Sequence, residues 1–327
     1  MSHKVQLTFA SGAYDRMLPL FEGEVAPAGI DLVVVPIDEP RHIFDRLAGG
    51  REFDVAEFSL SEYIQRYAAG ECPFVAIPVF PSRAFRHGFV AVRRDHGIEQ
   101  PADLERKTIG VPLYTMTAAV YIRGILQHEY GVDLSAARWV EGAMNTAGSH
   151  GKPTVLPLLR DCDITANDTG RSLSDLLADG KLDATLGSSL PDSLRTDSGV
   201  DRLFPDFVER EKDYYRRTGV YPIMHTLVIR KEIHEQYPFV ASSLYKALVA
   251  SKRLALQRMM NLRALRYMTP WLLRDIDEIY EVFDGDPWPY GVEPNRATIQ
   301  ALIGFLHDQA MISEKVGVDE LFLPVYE

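Results

Sequence analysis

Four side chains able to hold or donate a proton or bind an anion fall within six residues of one another: Ser82, Arg83, Arg86 and His87, in the stretch PFVAIPVFPSRAFRHG at 73–88. Three of the four can carry positive charge, and an arginine fork meets a carboxylate with two parallel hydrogen bonds. The apolar run before them, Phe74 to Phe80, reads as a buried strand, with Pro78 and Pro81 stiffening its exit. Cations set down by a buried strand in an acidic protein point to an anion site. The competing reading is a solvated loop, or for Arg83 an internal ion pair, in which the guanidinium groups meet carboxylates of the chain itself.

Similar chemistry recurs at two helix starts. FDVAEF (53–58) reads as a strand that ends at Ser59-Leu60-Ser61, and a helix follows through Tyr63, Ile64 and Tyr67. Either serine suits the cap, and the unpaired N–H groups of that turn can seat an anion or be satisfied by the cap alone. The strand at 108–111 runs through PLYTMT, with Tyr114 and Thr117, into an apolar helix at 118–126, which makes a second such seat. A third strand, at 181–186, ends at Gly187-Ser188-Ser189.

Further strands are expected at 4–10, 29–36, 89–92, 136–140 and 221–230. Helices are expected at 14–20, 40–48, 103–106 and 172–178, then in a helical C-terminal region at 238–261, 267–283 and 296–310. Residues 141–154 lack periodicity and read as a loop. Strands alternating with helices give an α/β class with mainly parallel sheets.

The totals bound the function. At 327 residues two domains are the default, and 46% hydrophobic with 25% charged residues suits a water-soluble globular chain. A net charge of -11 argues against nucleic acid or an anionic membrane as the main partner. No apolar run reaches membrane-span length, and the N-terminus shows no signal-peptide pattern, so the cytoplasm is the expected location. Cys72 and Cys162 lack metal spacing and are expected to stay unbridged. There is no HExxH, no Walker loop, no G-x-G-x-x-G after a strand and no G-x-S-x-G elbow; Asp284-Gly285-Asp286 lacks the later ligands of a calcium loop. Neither a metal nor an organic cofactor is expected, although His87 and His225 with Glu57 could in principle meet at one.

AYDR (13–16), REFDVAEFSLSEY (51–63), PFVAIPVFPSRAFRH (73–87), GVPLYTMTAA (110–119), YPIMHTLVIR (221–230), SLYKALVA (243–250) and WPYGVEPNR (288–296) together resemble the 4,5-dihydroxyphthalate decarboxylases, in the same order along nearly the whole chain. The resemblance implies a type II periplasmic-binding-protein-like architecture with two lobes, two crossover strands and a cleft between them. Lobe one would be residues 1–92 plus 221–327, and lobe two 93–220. The sequence departs from the family pattern at Leu113 and Thr115, where the family has an acid and an amide. A second departure covers 142–152, in place of an acidic, arginine-containing segment.

The implied reaction is cofactor-free loss of CO2 from a hydroxylated aromatic acid, 4,5-dihydroxyphthalate giving protocatechuate. The alternative is a solute-binding protein that captures a small carboxylate unchanged. For decarboxylation, Arg83 and Arg86 would hold carboxylate, helped by Ser59, Ser61 and Thr117. His225 would give a proton to the ring carbon and His87 would polarise a ring hydroxyl. A histidine inside PIMHTLVI can equally be a hydrogen-bonded core residue. Tyr14 and Tyr114 would line the pocket against the ring or serve as packing tyrosines. The partner is then a small aromatic carboxylate, and a homo-oligomer is compatible with the sequence.

Overall fold

The computed structural model describes residues 4–151, 157–196 and 199–325; the last three positions of the 141–154 loop lie outside the described residues. The chain alternates strand and helix. It opens with β1 (Val5–Ser11), α1 (Leu18–Phe21), β2 (Ile30–Pro36), α2 (Pro40–Gly50), β3 (Val55–Ser59), α3 (Leu60–Ala68) and β4 (Phe74–Ile77). Then come β5 (Val90–Arg93), β6 (Thr108–Val111), α4 (Thr117–Tyr130), β7 (Arg138–Glu141), β8 (Ile164–Ala166), α5 (Leu173–Ala178), β9 (Ala184–Leu186), β10 (Val200–Arg202) and α6 (Phe207–Thr218). The return strand is β11 (His225–Arg230), followed by α7 (Lys231–Gln236), α8 (Phe239–Met259), α9 (Leu272–Phe283), α10 (Arg296–Asp308) and α11 (Val318–Leu321).

Two sheets result, β2-β1-β3-β11-β4 and β10-β5-β9-β6-β7-β8. This is the two-lobed α/β architecture, and each sheet is mixed rather than mainly parallel. β1 runs parallel to β2 and β3, whereas β11 is antiparallel to both β3 and β4; β5 is antiparallel to β9 and β10. The antiparallel strands are those at which the chain passes between sheets. β5 pairs wholly within the second sheet, so a division at residue 92 cuts through a strand.

Apolar strands here read as near-continuous runs because both sheet faces are covered. In β3 and β11, Ala56, Phe58 and Val228 face one core with Phe44, Tyr63 and Ile64 of α2 and α3. Val55, Leu227 and Ile229 face the other, with Leu244 and Leu248 of α8. Between the lobes α10 packs on both α3 and α4. The approach to α4 needs Gly124, where a Cβ would fall inside the Phe305 ring. The C-terminal tail then covers the open side of β4, Leu323 N donating to Ala76 O at 2.9 Å, which blunts an edge strand.

The stretch after β4 is held from several directions. Gly291 N donates to Pro78 O (2.8 Å), Trp288 Nε1 to Phe80 O (2.8 Å), and Arg16 Nε to Pro81 O (2.7 Å). Ser82 O accepts from Met224 N at 2.8 Å, and Arg83 bridges to Ile223. The two segments that cross between sheets thus run side by side, which brings residues 82–86 to the start of β11.

Candidate active site

A cavity of about 280 Å³ opens between the lobes, with Tyr14, Arg41, Phe44, Ser59, Ser82 and Arg86 among its lining, joined by Leu113, Thr117, His150, Ser188 and His225. Its floor is the end of β3 and the start of β11. His225 pairs with Ser59 in register, which puts Glu57 diagonally beside it on the same sheet face. Glu57 Oε1 lies 2.6 Å from His225 Nδ1 and accepts the Tyr14 hydroxyl at 2.8 Å. Its Oε2 accepts the Ser11 hydroxyl (2.8 Å) and Gly12 N–H (3.0 Å). Gly12 is required by close approach, since a Cβ would meet the Tyr14 ring at 2.8 Å.

Glu57 is fully buried. Burial alone would raise its pKa, yet the bonds from His225, Gly12 and Tyr14 hold the carboxyl below the ordinary range, so it is an anion. The Tyr14 hydroxyl is pushed well above its usual range by burial and the adjacent Glu57, and stays a neutral donor. With Nδ1 committed to Glu57, His225 has Nε2 left for the cavity it lines. The Phe44 ring packs edge-on against it at 5.0 Å.

The two helix-start seats meet each other. Ser59 Oγ lies 3.0 Å and Ser61 Oγ 2.9 Å from Thr117 Oγ1, and Ser59 also caps α3 through Glu62 N. Ser59 and Thr117 reach the cavity; Ser61 is buried, donating to Thr115 O at 3.1 Å. The hydroxyls therefore join the lobes as well as lining the site.

Of the two arginines that line the cavity, Arg86 is the one without an ion pair among the described residues. It is buried over the Phe89 ring, 4.7 Å away, and its Nε and Nη1 have no hydrogen-bond partner. Burial pulls its pKa down to about 10, which leaves it charged at neutral pH and without an ion pair among the described residues. An unpaired buried guanidinium is costly, and an incoming carboxylate relieves that cost. Arg41 also lines the cavity, but its charge is already met by Glu62 (2.6 Å) and Asp45 (2.5 Å).

Besides Ser61, three of the side chains expected here lie outside the cavity lining. The Arg83 guanidinium donates to Tyr221 O (2.9 Å) and lies over the Tyr221 ring at 4.5 Å, turned away by its bridge to Ile223. His87 is sealed among Tyr130, Phe204 and Tyr214, with ring centroids 5.4 to 6.1 Å away; burial pushes its pKa down to about 4. Tyr114 stacks under Arg123, 3.7 Å from guanidinium carbon to ring centre, in a different cavity that Trp139 and Gln309 also line. Ser82, named in the sequence beside the two arginines, does line the cavity, whereas Arg41 and His150 carry no local signal there and Glu57 is considered only as a metal ligand. A carboxylate inside the apolar run FDVAEF was the signal for Glu57. Among the described residues no three His, Cys, Asp or Glu side chains converge where a metal ion could sit.

The chain is 38% identical over 322 residues to the 4,5-dihydroxyphthalate decarboxylase of Comamonas testosteroni, covering 98% of this chain and 97% of that one. This chain belongs to the 4,5-dihydroxyphthalate decarboxylase family. A second member, from Pseudomonas putida, is 39% identical over 215 residues, covering 65% of this chain and 83% of its own. Both relatives are named as decarboxylases, that is, carboxy-lyases. No family model matches the chain. Among solved structures the family fold is shared with the periplasmic sulfonate-binding protein SsuA of Methylobacillus flagellatus. That pair has TM-score 0.55 at 12% identity, over 99% of this chain and 93% of that one. The likeness shows the type II binding-protein fold and nothing of the ligand.

Proposed function

We propose that the protein is a cofactor-independent decarboxylase of a hydroxylated aromatic carboxylic acid, with 4,5-dihydroxyphthalate to protocatechuate as the reaction to test first. The observation that carries this reading is the Glu57–His225 pair at the cavity floor, 2.6 Å apart, in a chain of the decarboxylase family. Arg86 and the Ser59 and Thr117 hydroxyls take the carboxylates. Glu57 fixes the His225 ring so that Nε2 delivers a proton to the ring carbon that bears the departing carboxylate. As the carbon–carbon bond breaks, its electron pair restores the aromatic ring, CO2 leaves, and His225 recovers its proton from solvent. Leu113 gives the cavity one apolar wall, suited to a ring face.

The test is CO2 release from a panel of hydroxylated phthalates and benzoates. Turnover supports an enzyme; a thermal shift with no turnover favours the binding-protein alternative, which the fold alone would allow. Plain anion capture has no use for a carboxylate-oriented imidazole, and that observation weighs against it.

The reading extends to the whole chain. The lobes meet at the cleft, with the first crossing before β5 and the return before β11, close to residues 92 and 221. Among the described residues no helix is long and apolar enough to cross a membrane, and a cytoplasmic site of action, checked by fractionation, fits an enzyme of ring catabolism. Self-association is part of the reading too. Leu262, Leu265, Met268, Trp271, Leu273 and Tyr280 are all exposed within one segment, which supports an oligomer that light scattering would detect.

A further inference from the structure

His150 lies in the segment where the sequence leaves the family pattern, and it lines the same cavity as His225. The loop that carries it is anchored at its base. Ala143 N donates to Gly148 O (2.7 Å), Asn145 Nδ2 to Leu190 O (2.9 Å), and Leu173 N to Ala143 O (3.0 Å). At its tip Ser149 Oγ accepts from Gly151 N at 3.1 Å. A Cβ on Gly151 would sit 3.0 Å from the Arg41 side chain, so the second lobe's loop rests directly on α2 of the first. His150, one residue before this contact, and Arg41 both line the cavity that His225 lines. Phe44, also in the lining, neighbours both groups: its ring centre is 5.0 Å from that of His225 and 5.7 Å from the Arg41 guanidinium carbon.

We infer that His150 is the group that accepts the hydrogen bond of the substrate's ring hydroxyl para to the departing carboxylate. The inference rests on the decarboxylase reading of the cavity. As the His225 proton reaches the carbon bearing that carboxylate, the hydroxyl proton shifts towards His150 and the oxygen's electron pair moves into the ring. When CO2 leaves, the bond pair rearomatises the ring and the proton returns to oxygen; no oxidant or further reactant is consumed. Acceptance requires a neutral imidazole. Burial, followed by the positive charge of Arg41, lowers the His150 pKa, while Glu39 and Asp45 on α2 oppose this more weakly. Arg41 is a poor candidate for the same role, because an arginine has no acceptor.

The experiment compares wild type, His150→Ala and His150→Gln by kcat on 4,5-dihydroxyphthalate and by calorimetric binding of protocatechuate against benzoate, which lacks both hydroxyls. Circular dichroism confirms that each variant is folded. The expected result is a fall in kcat of about 10²-fold or more in His150→Ala, partly rescued by added imidazole. The preference for protocatechuate, about 10-fold or more in wild type, should shrink to within about threefold. Variants with wild-type kcat and an unchanged hydroxyl preference overturn the inference while leaving the decarboxylase reading intact. Wild type that binds both ligands without releasing CO2 overturns the decarboxylase reading, and the binding preference alone then judges His150. Equal affinity of wild type for the two ligands, or binding of neither, overturns the inference as well.

Discussion

Glu57 and His225 meet through a diagonal across two antiparallel strands, Oε1 to Nδ1 at 2.6 Å, with the carboxylate taking three further donors from Ser11, Gly12 and Tyr14. The arrangement fixes one ring nitrogen and leaves the other for substrate. Replacing His225 by Gln should cut kcat by about 10²-fold or more while protocatechuate binding changes less than about threefold. Glu57→Gln keeps the shape but not the charge, and should cost about 10- to 100-fold in kcat. Steady-state rates beside calorimetric affinities check both. A Glu57→Gln enzyme with full activity would remove the pair from the chemistry.

Arg83 and Arg86 are three residues apart and differ in what they face. Arg86→Ala should weaken carboxylate binding by about 10- to 100-fold, since it removes the cavity's unpaired guanidinium. Arg83→Ala loses a bond and a stack on Tyr221 within the protein, so it should lower the unfolding midpoint and leave KM within about twofold. Parallel KM and urea-unfolding series separate the two. The assignment is reversed if the binding loss appears in Arg83→Ala instead.

This difference also marks where the sequence stops being legible. Strands such as 108–111 and the strand–serine–helix unit at 55–68 were readable, because period and capping are local properties. Ser59 and Thr117 were readable for the same reason: each sits at a helix start. The direction of Arg83 was not, because it follows from a bridge to Ile223, 140 positions away, in a stretch with no periodicity to set it. His87 looked catalytic beside two arginines, yet its surroundings come from Tyr130, Phe204 and Tyr214, which no local pattern announces. The helix at 207–218 was hidden by its highly charged sequence, and the short β8 and β10 by their three-residue length.

Gly124 tests the interlobe packing. Phe305 occupies the space of its absent side chain and is itself wedged by Tyr121 and His128, at 5.9 and 5.1 Å between ring centres. Because a Cβ at that position must displace a ring flanked on two sides, Gly124→Ala should destabilise the protein by about 1–3 kcal/mol, even though alanine favours a helix over glycine by up to about 1 kcal/mol. Urea unfolding measures the net effect. A stabilised variant would mean that α4 and α10 can separate freely.

The buried pair Glu211 and His87 makes stability depend on pH in a predictable direction. Glu211 Oε1 accepts Gly88 N–H at 3.2 Å and lies 4.0 Å from His87 Nδ1; burial pushes the acid up to about 7 despite that bond and the nearby charges of Arg86 and Arg202. The folded protein therefore holds a proton on Glu211 between about pH 4.5 and 7 that the unfolded chain has released. The resulting stability is present below that window and is lost as pH rises through it, by up to about 3 kcal/mol. His87, pushed down to about 4, acts in the opposite sense: the unfolded chain binds its proton as pH falls from about 6.5 to 4, which weakens the fold there. Glu211→Gln retains an acceptor for Gly88 but cannot ionise. Its stability relative to wild type should rise between pH 5 and pH 8, read from urea unfolding at each pH. Two curves that stay parallel across that range would mean that Glu211 titrates in the folded protein as it does in the unfolded chain.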